Sequence, residues 1–473
     1  MNDAAPLTRP SHRIVVGDGI TAAAFVETSD LPNGSILTII SPNVHAFGRG
    51  VAYAADDAET PWRYAYLLNS PADDIDPDFA AWITQNWDVI RGKMEGRRPD
   101  WIAAAAPLLA SGDTFGLNIP RAFYGDYMEQ RVARVFADLR AKDVTINFVA
   151  ETAVSIAEAD GAITITTDSG TEYTADYVDI APGGPSTQRL QGDDGPFSAP
   201  RLFGNEARVA DHIKAGAEIF CVGSNATMLD ALRLCQSVVA EDKLRFVACS
   251  SDGSIPAPLI PRMPRYLTQP KLKSGHKTAQ DFLDDVWQAM QTARAAGDQM
   301  REIRAGFRAY FIDNPLSTFL PDIDEARLVP RTLFHWFRGG TRDTILDFQR
   351  LLDQGVTRTI SGRVSAIETT ENGARVLTTD RAGNVSSYDT GFVINCAGSG
   401  RNSTFDPLTE QMIADDIIAR CPVTGGLAVG EKCATRLSNV RHLSPATTII
   451  GDEVMPMPLY DAHFLRTWAA KSA

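Results

Sequence analysis

Ala-Ile-Thr-Ile-Thr-Thr-Asp-Ser-Gly-Thr-Glu-Tyr-Thr-Ala-Asp-Tyr-Val-Asp-Ile-Ala-Pro-Gly-Gly, residues 162–184, alternates apolar and polar side chains through a turn at 168–170 and ends in an apolar strand followed by glycine. Period-two alternation is the signature of a half-buried strand, and Asp-Ser-Gly is hairpin chemistry. The same design returns at residues 374–398, Ala-Arg-Val-Leu-Thr-Thr-Asp-Arg-Ala-Gly-Asn-Val-Ser-Ser-Tyr-Asp-Thr-Gly-Phe-Val-Ile-Asn-Cys-Ala-Gly. Two hairpins of one design imply two related domains.

Upstream of each hairpin lies an apolar strand that enters a turn and a helix. The first is Arg13-Ile-Val-Val-Gly-Asp-Gly-Ile-Thr-Ala-Ala-Ala-Phe-Val-Glu27. Gly17 allows the tight turn, Gly19 lets backbone approach a pyrophosphate, and Ala22 is small where helix packs on strand, the pattern of a dinucleotide-binding turn. The second is Ala217-Glu-Ile-Phe-Cys-Val-Gly-Ser-Asn-Ala-Thr-Met-Leu-Asp230, where Gly223, Asn225 and Thr227 hold the corresponding places. The predicted fold is α/β, with two Rossmann-like dinucleotide-binding domains, the second inserted in the first. The first domain is expected over 1–205 and 399–473, and the second over 206–398. Between about 255 and 345, five prolines give way to Phe282, Val286, Met290 and Ala293, an amphipathic helical face, so a mostly helical insertion is expected.

Composition narrows the chemistry. The chain of 473 residues carries a formal charge of −14, which disfavours nucleic acid and anionic membrane surfaces and favours a small-molecule substrate. The N-terminal residues lack an apolar core of signal-peptide length, and no run approaches the ~18 apolar residues of a membrane span, so a cytoplasmic location is expected. Six cysteines contain no Cys-x-x-Cys pair and seven histidines no closely spaced pair, so neither a redox disulfide nor a metal is expected.

Four further blocks, Gly48-Arg-Gly-Val-Ala-Tyr53, Leu67-Leu-Asn-Ser-Pro-Ala72, Asp76-Pro-Asp-Phe-Ala-Ala-Trp82 and Pro120-Arg-Ala-Phe-Tyr-Gly-Asp-Tyr127, stand with the glycine turns and a late Gly451-Asp452. In this order they resemble a bacterial family of FAD/NAD(P)-binding oxidoreductases, two-dinucleotide-domain flavoproteins related to flavin-dependent N-oxygenases. The resemblance implies FAD held by the first and last segments and NADH or NADPH by the middle one. FAD contacts are expected at Gly17, Gly19, Ala22, Gly48, Gly50, Asn69, Arg121, Tyr124, Gly183, Gly398 and Asp452. Asn69 would orient the flavin's polar edge, Arg121 would pair with pyrophosphate, and Tyr124 would pack on a ring. Asp452 would accept a hydrogen bond from the ribityl chain, and Gly223, Asn225 and Thr227 would face NAD(P).

The chain departs from the family pattern at three places. Ser41-Pro-Asn follows the second strand where an acid commonly binds the adenosine ribose, leaving that contact to Asn43. Ser224-Asn225 stands where a second glycine is expected. Ser250-Ser251-Asp252 lacks the arginine that would bind a 2′-phosphate. NADH use, a degenerate domain, or another arginine such as Arg262 or Arg265 all remain open. No nucleophile motif or phosphate loop with lysine is present, as suits an enzyme whose flavin carries the reactive atom. Candidate substrate contacts are His335 as a base, Arg338 as a carboxylate clamp, and Tyr460. The expected activity is that of a monooxygenase-like enzyme in which nicotinamide-reduced flavin oxygenates a small polar metabolite, with an amino group implied by the resemblance. The alternatives are a flavin oxidase or dehydrogenase independent of NAD(P)H, and a flavin-binding scaffold or partner subunit without turnover.

Overall fold

The computed structural model describes residues 9–54, 59–114, 116–258, 270–400, 403–456 and 462–472. Ten strands form two parallel sheets: β1 (His12–Val16), β2 (Ile36–Ile40), β3 (Thr145–Val149), β4 (Tyr177–Ile180), β5 (Ser198–Ala199), β6 (Ile219–Val222), β7 (Phe246–Ser250), β8 (Thr357–Ser361), β9 (Phe392–Asn395) and β10 (Val440–His442). The first sheet runs β3-β2-β1-β4-β10 and the second β8-β7-β6-β9-β5. The two orders are the same, with β6 in the place of β1, and every pairing within both sheets is parallel. β6 is apolar along its whole length and β1 from Ile14 to Val16, because a parallel sheet is covered on both faces. Ile14 and Val15 of β1, and Phe220 and Cys221 of β6, have no exposed surface.

The two hairpins form three-stranded antiparallel sheets, at Ala153–Ala159, Ala162–Thr167 and Glu172–Ala175, and at Arg363–Thr369, Ala374–Thr379 and Val385–Thr390. Both carry a register shift near the start of the first strand, at 153–155 and at 364–366, so the internal repeat extends to its irregularities. β5 pairs with β9, which places residues 198–199 in the second sheet, ahead of the expected boundary at 206. Two chain segments cross between the units side by side: Ser186 N donates to Thr404 O at 2.8 Å and Gln188 N to Gly398 O at 2.9 Å.

Five helices matter below: α1 (Ile20–Glu27), α2 (Arg121–Ala141), α3 (Ala226–Val238), α4 (Met300–Asp313) and α5 (Pro330–Phe337). In α1 every residue from Ile20 to Val26 is buried, and three successive alanines, Ala22 among them, let the helix lie close on the sheet. α4 and α5 belong to the helical insertion with the helix Ala279–Ala295, whose buried face is Phe282, Val286, Met290 and Ala293. The insertion has its own core, in which the Phe307 and Phe337 rings stack at 5.3 Å, and it packs on Ile449 and Val454 near the end of the chain. Among the described residues no helix is long and apolar enough to cross a membrane. All six cysteines are buried thiols.

One buried group of the first sheet has a pH consequence. His442 on β10 has no exposed surface; its Nε2 meets Thr409 Oγ1 at 3.1 Å, and its Nδ1 has no partner. Burial pushes its pKa down to about 4, with Asp406 opposing weakly. The unfolded chain takes this proton near its ordinary 6.5, so the folded state is favoured above that pH and loses the advantage as pH falls toward 4. His442→Gln is expected to show a smaller drop in urea midpoint between pH 7 and 4.5 than the wild type, with denaturation followed by circular dichroism.

Candidate functional site

The first glycine turn is built by contact between strands. Gly17 N donates to Ile40 O at 3.0 Å, and Ala181 N to Val16 O at 2.8 Å, so the turn is held against the ends of β2 and β4. Gly17 has φ +119°, and a Cβ there would lie 2.2 Å from Ala181 O, so the fold itself demands glycine. Gly19 differs. Its φ is −86°, open to any residue, and the nearest atom to a Cβ placed there is Gly50 Cα at 4.0 Å. Nothing among the described residues requires Gly19 to be glycine, which is the expected mark of a position cleared for a ligand's close approach.

The loop after β2 closes around this opening. Gly48 N donates to Asp18 O at 2.7 Å, and Gly50, at φ +58°, brings its backbone against Gly19. Arg49 between them is buried; it pairs with Asp126 and Glu129 of α2 and donates to the carbonyls of Tyr53 and Ala122. The N-terminus of α1 starts at Gly19 with no side-chain cap, so its first amides stand free to hold an anion. A glycine cradle, uncapped amides and space above Gly19 fit a dinucleotide's pyrophosphate.

A carboxylate reaches the end of β2 from another position. Ser41 Oγ donates to Asp18 Oδ2 at 2.9 Å, so the residue between the two glycines carries its carboxylate to the end of β2. Asn43 turns its backbone inward, donating from N to Ser41 Oγ at 3.3 Å.

The second turn repeats the first in its frame and departs at its opening. Gly223 N donates to Cys249 O at 2.7 Å, Cys396 N to Val222 O at 2.8 Å, and a Cβ on Gly223, whose φ is +106°, would lie 2.4 Å from Cys396 O. Asn225 occupies the place of Gly19 as the first residue before α3, and its Oδ1 is buried without a partner. Ser224 Oγ donates to Ser254 O at 2.6 Å. After β7, Asp252 Oδ1 accepts from Ser254 N at 3.0 Å, Ser254 Oγ at 2.7 Å and Ser250 Oγ at 3.4 Å, which fixes the loop. Thr227 lies half-buried in the first turn of α3.

Several expected contacts lie elsewhere. Arg121 is not turned to a pyrophosphate: its Nη1 meets Asp230 Oδ2 at 2.9 Å and its Nε donates to Leu67 O at 3.1 Å. Asp230 is on α3, so this buried pair joins the two nucleotide units. Burial pushes the Asp230 carboxyl up to about 6, and Arg121 opposes the rise; the cation is held there by the carboxylate it neutralises. Tyr124 offers no ring face to a cofactor, because it has no exposed surface and packs edge-on against Phe79 and Tyr53, each at 4.9 Å. Asp452 stands exposed at the tip of a hairpin between Thr447–Ile450 and Glu453–Val454, in a four-stranded sheet separate from the two parallel sheets, although Thr447–Ile450 itself pairs in parallel with Leu427–Val429. Asn69 Oδ1 accepts from Thr341 Oγ1 at 2.9 Å, tying the first unit to the second. Gly183 and Gly398, at φ +89° and +74°, have open space beside them where the chain leaves β4 and β9. His335 is exposed at the end of α5, and Arg338 Nη2 donates to Ser254 Oγ at 2.8 Å, beside the second turn. Tyr460, Arg262 and Arg265 lie outside the described residues. Asp18, Asp230 and Ser254 were not singled out by sequence reasoning; the place of Asp18 between the two glycines was the available signal for the first.

A shallow cleft opens between the units beside Arg121, lined by Val51, Arg63, Tyr66, Phe203 and Glu206. It holds both signs of charge.

Residues 14–185 match the model of a family described as FAD-NAD(P)-binding. No curated protein matches the sequence. Among solved structures, an ornithine N-hydroxylase from Kutzneria sp. 744 with reduced FAD, NADP+ and L-ornithine aligns over 98% of each chain at 11% identity and TM-score 0.53. The ornithine hydroxylase of Pseudomonas aeruginosa aligns over 98% of each chain at 13% identity and TM-score 0.50. At such identities the likeness is one of fold. The chain thus has the two-dinucleotide fold of the flavin oxidoreductases, with an N-terminal segment of the FAD-NAD(P)-binding type.

The geometry separates the roles of the two glycines. Gly17→Ala should destabilise the protein by about 3 kcal/mol or more, since a Cβ meets a carbonyl at a left-handed φ. Gly19→Ala should leave Tm within about 2 °C of wild type for protein stripped of flavin, yet lower FAD affinity at least tenfold; melting curves and flavin fluorescence quenching read the two effects.

Proposed function

We propose that this protein is an FAD-dependent monooxygenase in which flavin reduced by a nicotinamide nucleotide oxygenates a small polar metabolite, at an amino group. The observation that carries the flavin assignment is the Gly17–Gly19–Gly50 cradle at the uncapped start of α1, where a Cβ on Gly19 would meet nothing nearer than Gly50 Cα at 4.0 Å. The matched family and the shared fold with two ornithine hydroxylases support the rest. Bound flavin would supply the hydride and oxygen chemistry. The chain's own residues bind and position: the first amides of α1 hold the pyrophosphate, and Asp18, fixed by Ser41, accepts the adenosine ribose hydroxyls. Asn69, held by Thr341, orients the cofactor's polar edge where the units meet.

The second reading is a flavin oxidase or dehydrogenase that takes hydride directly from its substrate. Asn225, filling the place that Gly19 leaves open, favours it. Oxygen uptake with excess NADH or NADPH over a panel of amino acids, with the product analysed by mass, separates the two. Nucleotide-dependent uptake with gain of one oxygen atom by the substrate supports the monooxygenase; anaerobic bleaching by substrate alone supports the oxidase or dehydrogenase.

Asp18 has its own test, independent of turnover. Asp18→Asn should weaken FAD binding about tenfold through loss of a charge-assisted hydrogen bond. If the carboxylate only repelled the pyrophosphate, the same substitution would tighten binding, which would contradict the ribose role.

A further inference from the structure

The helical insertion delivers an arginine to the second glycine turn. Arg338 follows the last residue of α5, and the strand pair Ala257–Pro258 with Gly339–Gly340 binds that point of the chain beside the loop after β7. Its Nη2 donates to Ser254 Oγ at 2.8 Å, and Ser254 O accepts from Ser224 Oγ at 2.6 Å. Two hydrogen bonds therefore link the guanidinium to the residue after Gly223. Gly340 rests on the first turn of α3, where an added Cβ would come within 2.6 Å of Leu229 Cδ1. The cation is thus anchored at the end of α3 where the helix dipole is positive.

A second arginine lies behind the first. Arg304 is on α4, which packs against α5, and its Nε is buried with no hydrogen-bond partner. Burial, and next the charge of Arg338, lower its pKa from the ordinary arginine value. Among the described residues neither guanidinium is in an ion pair. The acid facing Arg338 is Asp252, whose Oδ1 is occupied by three hydrogen bonds within its own loop. Two neighbouring cations, one of them tied to the second glycine turn, with Asp252 as the acid that faces them, form an arrangement that an anion would relieve.

We propose that Arg338, backed by Arg304, is a phosphate-binding site at the second glycine turn, through which the helical insertion supplies the cation that Ser250–Asp252 lacks. The proposal rests on the reading that the second unit binds a nicotinamide dinucleotide, and its ligand is a phosphate of that molecule, either the 2′-phosphate or the pyrophosphate. Arg338 is then a nucleotide contact, and the second unit is a working domain.

Titration calorimetry on the FAD-loaded protein, with 2′,5′-ADP and ADP as probes, tests this without turnover. Wild type should bind at least one probe, Arg338→Ala should bind it about tenfold more weakly or worse, and Arg338→Lys should recover part of the loss. A loss confined to 2′,5′-ADP assigns the 2′-phosphate and NADPH; an equal loss for both probes assigns the pyrophosphate. Ser254→Ala, which removes the anchor of Arg338 together with the hydroxyl's own bond to Asp252, should give a smaller loss in the same direction and serves if the first variant melts early. Wild type that binds neither probe would overturn both the site and the reading beneath it. Wild type that binds, with Arg338→Ala and Ser254→Ala binding equally well, would overturn the Arg338 site alone.

Discussion

Both nucleotide units depend on one constraint: a glycine pressed against the carbonyl that ends a neighbouring strand. Gly17 meets Ala181 O and Gly223 meets Cys396 O, each at a left-handed φ, and each glycine donates its own N–H to a carbonyl at the end of the next strand on the other side, Ile40 O and Cys249 O. This contact brings the three central strand ends and a helix N-terminus together at one point. Strand order, crossover helices and the place of the opening follow from it, because a helix can leave β1 or β6 at that angle only when the turn has no side chain to clear. The repeat is therefore as strong in backbone contacts as it is weak in residue identity.

Beyond the shared frame the two turns diverge. At the first, Gly19 and Gly50 leave the space in front of α1 open, and Asp18 carries a carboxylate to Ser41. At the second, Asn225 stands where Gly19 would be, and the loop after β7 is held by Asp252. Arginine reaches that turn from the helical insertion, which also packs on Ile449 and Val454 of the first unit. With Arg121 paired to Asp230, and Asn69 to Thr341, the units are joined by buried polar contacts close to the sites they would bring together.

Local features were legible in the sequence and distant partners were not. The hairpins and glycine turns could be read because period-two alternation and glycine spacing are set by neighbours a few residues away. The helical face of Phe282, Val286, Met290 and Ala293 was readable for the same reason. Arg121 was expected to meet phosphate, but its partner Asp230 lies 109 residues on, and no local pattern links them. Tyr124 looked like a ring to pack on a flavin; its place on the inward face of α2 fills the core with Phe79 and Tyr53 instead. Asp452 follows an apolar strand with a parallel neighbour, Leu427–Val429, yet that strand lies in a small separate sheet and turns straight into Glu453–Val454, which leaves Asp452 exposed at a hairpin tip. Arg338, expected at the substrate, sits at the nucleotide turn because the short strand pair at 339–340 fixes it there.

The central claim is that the opening above Gly19 holds one FAD. The most direct measurement is the flavin content of the purified protein after saturation with FAD and removal of the excess, read from its visible spectrum for wild type and for Gly19→Val. One FAD per chain in the wild type, with Gly19→Val losing the flavin while keeping its helical circular dichroism signal, is the predicted result. A wild type that retains no flavin, or a Gly19→Val protein that still holds one FAD per chain, would contradict it.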